Sequence, residues 1–132
     1  MAVNNPYSFR HIFGLKSDVN SNVHFTDDHL VLYPAGHNTV IFNMESKVQK
    51  FIHGAPHTDG ISAIAVSPSR RYVAVAEKTG DSFGADLGDR YLVNIYDLNT
   101  LKRRKKLQAS TDITAKGFIS MCFSADNKTL LT

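Results

Sequence analysis

The chain has 132 residues, of which 42% are hydrophobic and 20% are charged, a normal balance for one globular domain. No run approaches the roughly 18 apolar residues of a membrane span. The first residues carry no signal-peptide pattern, and a single cysteine excludes an internal disulfide. The net charge of +3 depends on one basic run at 102–106, because the rest of the chain has ten basic against twelve acidic residues. These features predict a cytoplasmic protein without membrane contact.

The first predicted element is an N-terminal strand within residues 1–15. In the segment 7–13, aromatic or apolar residues stand at 7, 9 and 13, and Gly14 ends the pattern. The segment has no hairpin partner nearby. We therefore expect it to pair with a strand far along the chain and to close a ring of sheets.

Two four-stranded units follow, at 16–57 and 58–112, and a third begins at 113 and is cut at 132. In each, β-branched and aromatic runs alternate with Gly, Pro, Asn and Asp turns. The second unit contains a Gly/Asp-rich insertion at 79–89, which predicts a loop at the rim. The predicted strands lie near 22–26, 29–34, 38–44 and 47–53 in the first unit, and near 61–67, 71–77, 90–98 and 102–108 in the second.

One short pattern occurs in all three units: an apolar strand, a polar turn led by Ser or Thr, and a second apolar strand. Phe25, Val66 and Phe123 each precede the turn Ser or Thr, and they are 41 and 57 residues apart. The spacing from this turn to the Tyr96 or Phe42 strand is 13 residues longer in the second unit, and without that excess the second step is 44 residues. Both periods match the roughly 40–45 residues of a four-stranded propeller blade. Since about two and a half blades cannot close a ring, we expect an all-β, N-terminal part of a longer propeller.

The turns between the first two strands of each unit have a common logic. Ser67 and Ser124 lead two of them, and a serine hydroxyl there accepts a hydrogen bond from a backbone amide ahead. Asn127 suits a left-handed backbone conformation at little cost. Arg70 occupies the equivalent position in the second unit, and an arginine suits the left-handed conformation less well than an asparagine.

The repeated unit resembles a WD-repeat blade. Residues 67–74 (SPSRRYVA) resemble that family's Ser-Pro-Asp-Gly-Lys-Tyr-Leu-Ala turn. The pairs Tyr96-Asp97 and Phe42-Asn43 stand where the family has Trp-Asp. The usual Gly-His before each first strand is not preserved, because His53-Gly54 has the reverse order. The family's buried His/Asp/Ser/Trp network is therefore not carried over to this chain.

Ordered short motifs across nearly the whole chain are also similar to the start of the cilia- and flagella-associated protein 57 family. They are HIFGLKS at 11–17, YPAGHN at 33–38, SPSRRY at 67–72 and KGFISM at 116–121. The resemblance implies N-terminal propellers followed by a coiled coil, and a place in the axoneme, the cytoskeleton of cilia and flagella. It implies a scaffold that helps place inner dynein arms. Its partners are then axonemal proteins, inner dynein arm components and the doublet microtubule.

The candidate partner contact is a run of five consecutive basic residues. Such a run contacts acidic protein surfaces such as tubulin, nucleic-acid phosphates, or a nuclear import receptor. It is also typical of a solvated outer strand, where charges prevent edge-to-edge pairing. Because strand residues alternate between faces, at least two would point towards a neighbouring layer unless the strand is at the rim. The residues are Lys102, Arg103, Arg104, Lys105 and Lys106.

Nothing in the sequence predicts a catalytic, cofactor or metal site. The six histidines have no companion Cys pair and no helix to present two on one face, although His53 and His57 flank one turn. The aspartates of the 79–89 loop lack the spacing of a calcium loop. Cys122 lies mid-strand between apolar residues, which favours a buried structural thiol. We therefore expect a non-catalytic protein without a small-molecule substrate.

A second function stays open from the sequence. A WD-repeat adaptor of another assembly, such as an RNA-processing complex, would use the basic run at 102–106 to contact phosphate. Binding to RNA that falls steeply with salt would favour this alternative. We expect protein partners rather than nucleic acid.

Overall fold

The computed structural model describes residues 8, 10–56, 58–79, 91–108 and 117–132. Over these ranges the chain forms ten β-strands and no helix, so the described residues contain no apolar helix of membrane-spanning length. The all-β fold predicted from the repeats is confirmed. The predicted rim loop, apart from residue 79, lies outside the described residues, as do residues 109–116.

The first unit is a four-stranded antiparallel sheet, called sheet 1, whose strands are neighbours in chain order. Its boundaries are close to the predicted ones, because β-branched and aromatic residues fill the strands and turn residues separate them. The strands are β1 (His24–Asp27), β2 (Leu30–Ala35), β3 (Asn38–Asn43) and β4 (Gln49–His53).

The second unit, called sheet 2, has the same chain-order topology. A further two-stranded ladder belongs to the third unit. The strands of sheet 2 are β5 (Thr58–Val66), β6 (Tyr72–Thr79), β7 (Tyr91–Asp97) and β8 (Arg103–Gln108), and the ladder pairs β9 (Cys122–Phe123) with β10 (Leu130–Leu131).

Equivalent backbone hydrogen bonds show that sheets 1 and 2 are copies of one unit. At the turn between the third and fourth strands, the N–H of Asn43 donates to the carbonyl of Val48 at 2.9 Å. In sheet 2 the N–H of Asp97 donates to the carbonyl of Lys102 at 3.0 Å. In both hydrogen bonds the acceptor lies five positions after the donor, and the two bonds are 54 positions apart in the chain. The repeat in the sequence is therefore a repeat in structure.

The second and third units share the predicted serine-led turn. The Ser67 hydroxyl accepts a hydrogen bond from the N–H of Tyr72 at 3.0 Å, and the Ser124 hydroxyl accepts one from the N–H of Thr129 at 3.0 Å. These equivalent residues are separated by the 57-residue step found in the sequence. The turns also touch, since Asn127 Oδ1 accepts a hydrogen bond from the N–H of Ser69 at 2.8 Å.

The left-handed positions of these turns differ in how well their residues fit. Asn127 has φ 62° and Arg70 has φ 58°, as the repeat predicts. An asparagine tolerates this region better than a residue with a long side chain. We therefore expect Arg70→Asn to raise the free energy of unfolding by about 0.5–1 kcal/mol.

Urea unfolding checks this prediction against a matched control. Lys128→Asn makes the same charge change in the equivalent turn, at a position outside the left-handed region. Its effect should stay within about 0.5 kcal/mol. An equal gain from both variants would show that charge rather than backbone strain is responsible.

Sheets 1 and 2 stack face to face through one cluster of buried side chains. Leu32 and Ile41, paired in sheet 1, meet Ile64, Val73 and Val75 of sheet 2. Fully burying such a side chain stabilises the fold by about 1.5–3 kcal/mol. This interface is the main core of the described residues.

The opposite face of sheet 2 carries small side chains, which let the third unit approach closely. Ala63, Ala65, Ala74 and Ala76 are at most 4% exposed and pack with Met121. Sheet 2 is thus covered on both faces, as a propeller blade is.

Cys122 corrects one expectation, because its side chain is exposed rather than buried. Side chains alternate between the faces of a strand, and Met121 and Phe123 are the ones that pack against sheet 2. Cys122 therefore faces away from the core of the described residues. The apolar neighbours indicated a strand, but not which face it buries.

The predicted N-terminal strand is not present at residues 10–13, and residues 1–7 and 9 lie outside the described residues. Ile12 instead binds the side chain of Gln49: its N–H donates to Oε1 at 2.7 Å, and its carbonyl accepts from Nε2 at 3.2 Å. The segment therefore meets β4 through one side-chain amide rather than a strand ladder. Closure of a ring by this segment stays a prediction.

Candidate partner-binding surface

The five basic residues lie together on β8 and immediately before it. β8 is the last strand of sheet 2, and among the described strands it pairs with β7 alone. All five side chains are exposed, although strand residues normally alternate between two faces. The strand is at the rim, and the structure presents these residues as one surface, called the basic edge: Lys102, Arg103, Arg104, Lys105 and Lys106.

A β-bulge in β8 helps to expose this run. Arg103 pairs with Tyr96 and Lys105 pairs with Ile95, so Arg104 is an extra residue without a partner in the ladder. Such a bulge bends and twists an edge strand and discourages pairing with another sheet. The basic edge therefore presents charged side chains rather than a flat ladder of free backbone groups.

Asp97 anchors two arginines, of which Arg104 belongs to the basic edge. This buried carboxylate lies 3.4 Å from the Nη2 of Arg71 and 3.6 Å from the Nη2 of Arg104. The N–H of Asn99 donates a hydrogen bond to its Oδ1 at 2.9 Å. Both arginine side chains are about half exposed, at 51% and 58%. One carboxylate against two arginines leaves a net positive charge facing solvent.

The hydrogen bond from Asn99 is the main cause that lowers the pKa of Asp97 below its usual 3.8. The N–H of Thr100 and the charge of Arg71 act in the same direction, while burial opposes them. Because the folded-state pKa is lowered, the stabilising effect of the carboxylate is present above the unfolded-state value. It is lost as the pH falls through the folded-state value.

A buried polar cluster, called the junction, connects sheet 1 with sheet 2. Glu77 on β6 is 1% exposed, and its Oε1 accepts a hydrogen bond from the N–H of Ala55 at 2.8 Å. Its Oε2 accepts a second one from Nδ2 of Asn94 at 2.8 Å. His37 of sheet 1 places Nε2 3.3 Å from Oε1 and also contacts the hydroxyl of Thr58. The carboxylate thus has partners from both sheets.

Glu77 was not among the candidate residues predicted from the sequence, although its place in the strand pattern is a signal. In β6 the buried residues Val73 and Val75 face sheet 1, and Glu77 continues their period of two. A carboxylate on a buried face needs partners. The pattern places Glu77 on the buried face, but only the structure shows that His37 and Ala55 come from another unit.

No metal site forms among the described residues. They contain no group of three His, Cys, Asp or Glu side chains that could hold an ion. His53 places Nδ1 2.8 Å from Oδ1 of Asn38, and its predicted neighbour His57 lies outside the described residues. Cys122 and His24 line a cleft of about 260 Å³ between the first strands of the units, and burial lowers the pKa of His24.

Comparisons with known proteins identify two relatives that are both named cilia- and flagella-associated protein 57. The chain is 37% identical over 123 residues to cilia- and flagella-associated protein 57 of Mus musculus, covering 92% of this chain and 9% of that protein. It is 31% identical over 124 residues to cilia- and flagella-associated protein 57 C of Tetrahymena thermophila, covering 90% of this chain and 9% of that protein.

A third relative is cilia- and flagella-associated protein 44 of Mus musculus, at 34% identity over 71 residues, which are 54% of this chain and 4% of that protein. No model of a protein family matches the chain. The chain thus spans less than a tenth of the length of the curated relatives it matches.

Proposed function

Since the chain is a homologue of cilia- and flagella-associated protein 57 over 92% of its own length, we propose that it is a non-catalytic interaction module of the ciliary axoneme. It acts as blades of a WD-repeat propeller, divided at 16–57, 58–112 and 113–132, within a longer scaffold. That scaffold helps to place or regulate inner dynein arms on doublet microtubules. Its partners are axonemal proteins, dynein-arm components and the microtubule itself.

The observation that carries the proposal is the basic edge. Five exposed cationic residues lie on or next to the last strand of a sheet that is covered on both faces, whereas the rest of the chain is slightly acidic. A concentrated positive surface steers and orients an acidic partner more than it adds raw affinity. Axonemal microtubules offer an acidic surface of this kind. The described residues contain no group of three metal-ligating side chains that would favour a metal site instead.

Reversal of charge on the basic edge tests the proposal. We expect the triple variant Lys102→Glu, Arg103→Glu and Lys105→Glu to lose about tenfold or more of its binding to purified axonemal doublets in a sedimentation assay at low salt. Arg104 is left unchanged because it lies at Asp97. The expected loss arises because three attractions become three repulsions.

A control variant with the same net charge shows whether binding depends on the position of the basic edge or only on the total charge of the protein. Arg10→Glu, Lys78→Glu and Lys128→Glu alter three exposed residues outside β8. This control should bind doublets nearly as the unchanged chain does. Equal losses of binding in both variants would show a non-specific charge effect instead. Strong RNA binding that only the basic-edge variant abolishes would support the RNA-adaptor alternative.

A further inference from the structure

An apolar groove lies between sheets 1 and 2, at the end of the sheets that carries the turns joining their third and fourth strands. It has a volume of about 300 Å³, and both walls belong to described residues. Its apolar lining comes from five side chains of the two sheets. They are Leu30, Ile41, Val48, Leu98 and Leu101.

The groove is the open end of the main core. Leu30, Leu98 and Leu101 are partly buried and pack against the core cluster, whereas Val48 is 52% exposed at the edge of the groove. Exposed apolar surface joined to a core favours contact with another apolar group. The volume is at the lower end of the roughly 300–1,000 Å³ of ligand sites. It suits one or two aliphatic side chains.

The surroundings of the groove are cationic. Lys50 lines it directly, and Lys102, the first residue of the basic edge, follows Leu101 in the chain. The N–H of Leu98 donates a hydrogen bond to the carbonyl of Arg71 at 2.8 Å, which places that residue beside the same wall. A ligand in the groove therefore lies next to the positive charge of the basic edge.

The acidic residue in the adjoining turn of sheet 1 does not cancel this charge. The carboxylate of Glu45 lies 3.4 Å from Nδ1 of His29, so its ionic contact is with that histidine and not with Lys50. Within the described residues no carboxylate forms an ion pair with Lys50. The groove thus combines an aliphatic lining with the positive charges of Lys50 and the adjoining Lys102.

We propose that this groove binds an acidic, extended segment of a partner protein, with one or two aliphatic side chains inserted between the sheets. The aliphatic lining selects the inserted side chains, and Lys50 with the adjoining basic edge selects the flanking carboxylates. The inference goes beyond the proposed function, because it names a second contact and does not depend on the ciliary location.

Fluorescence anisotropy with two synthetic peptides tests the groove. One labelled peptide has leucines spaced among glutamates, and the other contains glutamates alone. We expect the leucine-containing peptide to bind more tightly at low salt. Val48→Asp and Lys50→Glu should each weaken that binding at least tenfold, by adding repulsion or removing attraction at the groove.

Matched controls are available elsewhere on the surface. Val23→Asp alters an equally exposed valine, at 50%, and Lys128→Glu alters an exposed lysine of the third unit. Both should change the affinity by less than twofold. Val48→Ser removes the same apolar contact without a charge, and should still weaken binding if Val48→Asp fails to fold.

Three outcomes would overturn the inference: no binding of the leucine-containing peptide, equal affinity for the two peptides, or equal losses in groove and control variants. Binding of a uridine oligonucleotide that Lys50→Glu abolishes would assign the groove to nucleic acid instead. A chain that sediments with axonemal doublets but fails to bind either peptide would contradict this inference and leave the proposed function intact.

Discussion

Replacement of Glu77 by alanine should lower the free energy of unfolding by about 3–5 kcal/mol, because it leaves donors from two units without their acceptor in a largely buried cluster. The N–H of Ala55 and the Nδ2 of Asn94 each lose a hydrogen bond of 2.8 Å. The hydroxyl of Thr58, which lies 3.2 Å from Oε1, loses one of its two acceptors.

The variant Glu77→Gln is the control for this prediction. It keeps the shape of the side chain and one acceptor oxygen for Ala55. The Oδ1 of Asn94 is buried and has no hydrogen-bond partner among the described residues. If the amide of Asn94 turns over, this oxygen accepts a hydrogen bond from the new amide group. We therefore expect Glu77→Gln to cost less than half as much as Glu77→Ala.

Urea unfolding followed by far-ultraviolet circular dichroism measures both variants, since the chain has no tryptophan. A Glu77→Ala variant within about 1 kcal/mol of the unchanged chain would mean that the junction adds little to stability. Equal losses for alanine and glutamine would show instead that the negative charge matters more than the hydrogen bonds.

The strands and their order follow from the sequence, because their physical causes are local. Alternating apolar residues predict the eight strands of sheets 1 and 2, and the serine-led turns predict the left-handed backbone at Arg70 and Asn127. The basic edge is predictable as a charged strand for the same reason. The bulge at Arg104 is not, because it depends on the twist of the neighbouring strand.

Contacts between units are harder to predict, since they depend on how sheets stack. The period of two places Glu77 on a buried face, but its partner His37 is 40 positions away and belongs to another sheet. The groove combines Val48 with Leu98, which no local pattern connects. The exposure of Cys122 likewise depends on which face of β9 meets sheet 2.

The second large effect is expected at Gly54, where the chain passes from sheet 1 to sheet 2. A methyl group added at Gly54 would lie 2.5 Å from the carbonyl oxygen of His37 and closer still to its imidazole ring. Real side-chain carbons do not approach backbone atoms so closely, so the chain must shift. The shift moves His37 away from Glu77 and Thr58, which weakens the junction as well.

Gly54→Ala should therefore lower the free energy of unfolding by about 2–3 kcal/mol, the usual effect of overpacking. Gly36→Ala is the control: nothing lies within 4 Å of its added methyl group, and only its φ of 59° is unfavourable. That variant should lose about 1 kcal/mol. The same urea unfolding experiment compares them. If Gly54→Ala costs no more than Gly36→Ala, the close packing of His37 against Gly54 does not hold the two sheets in register.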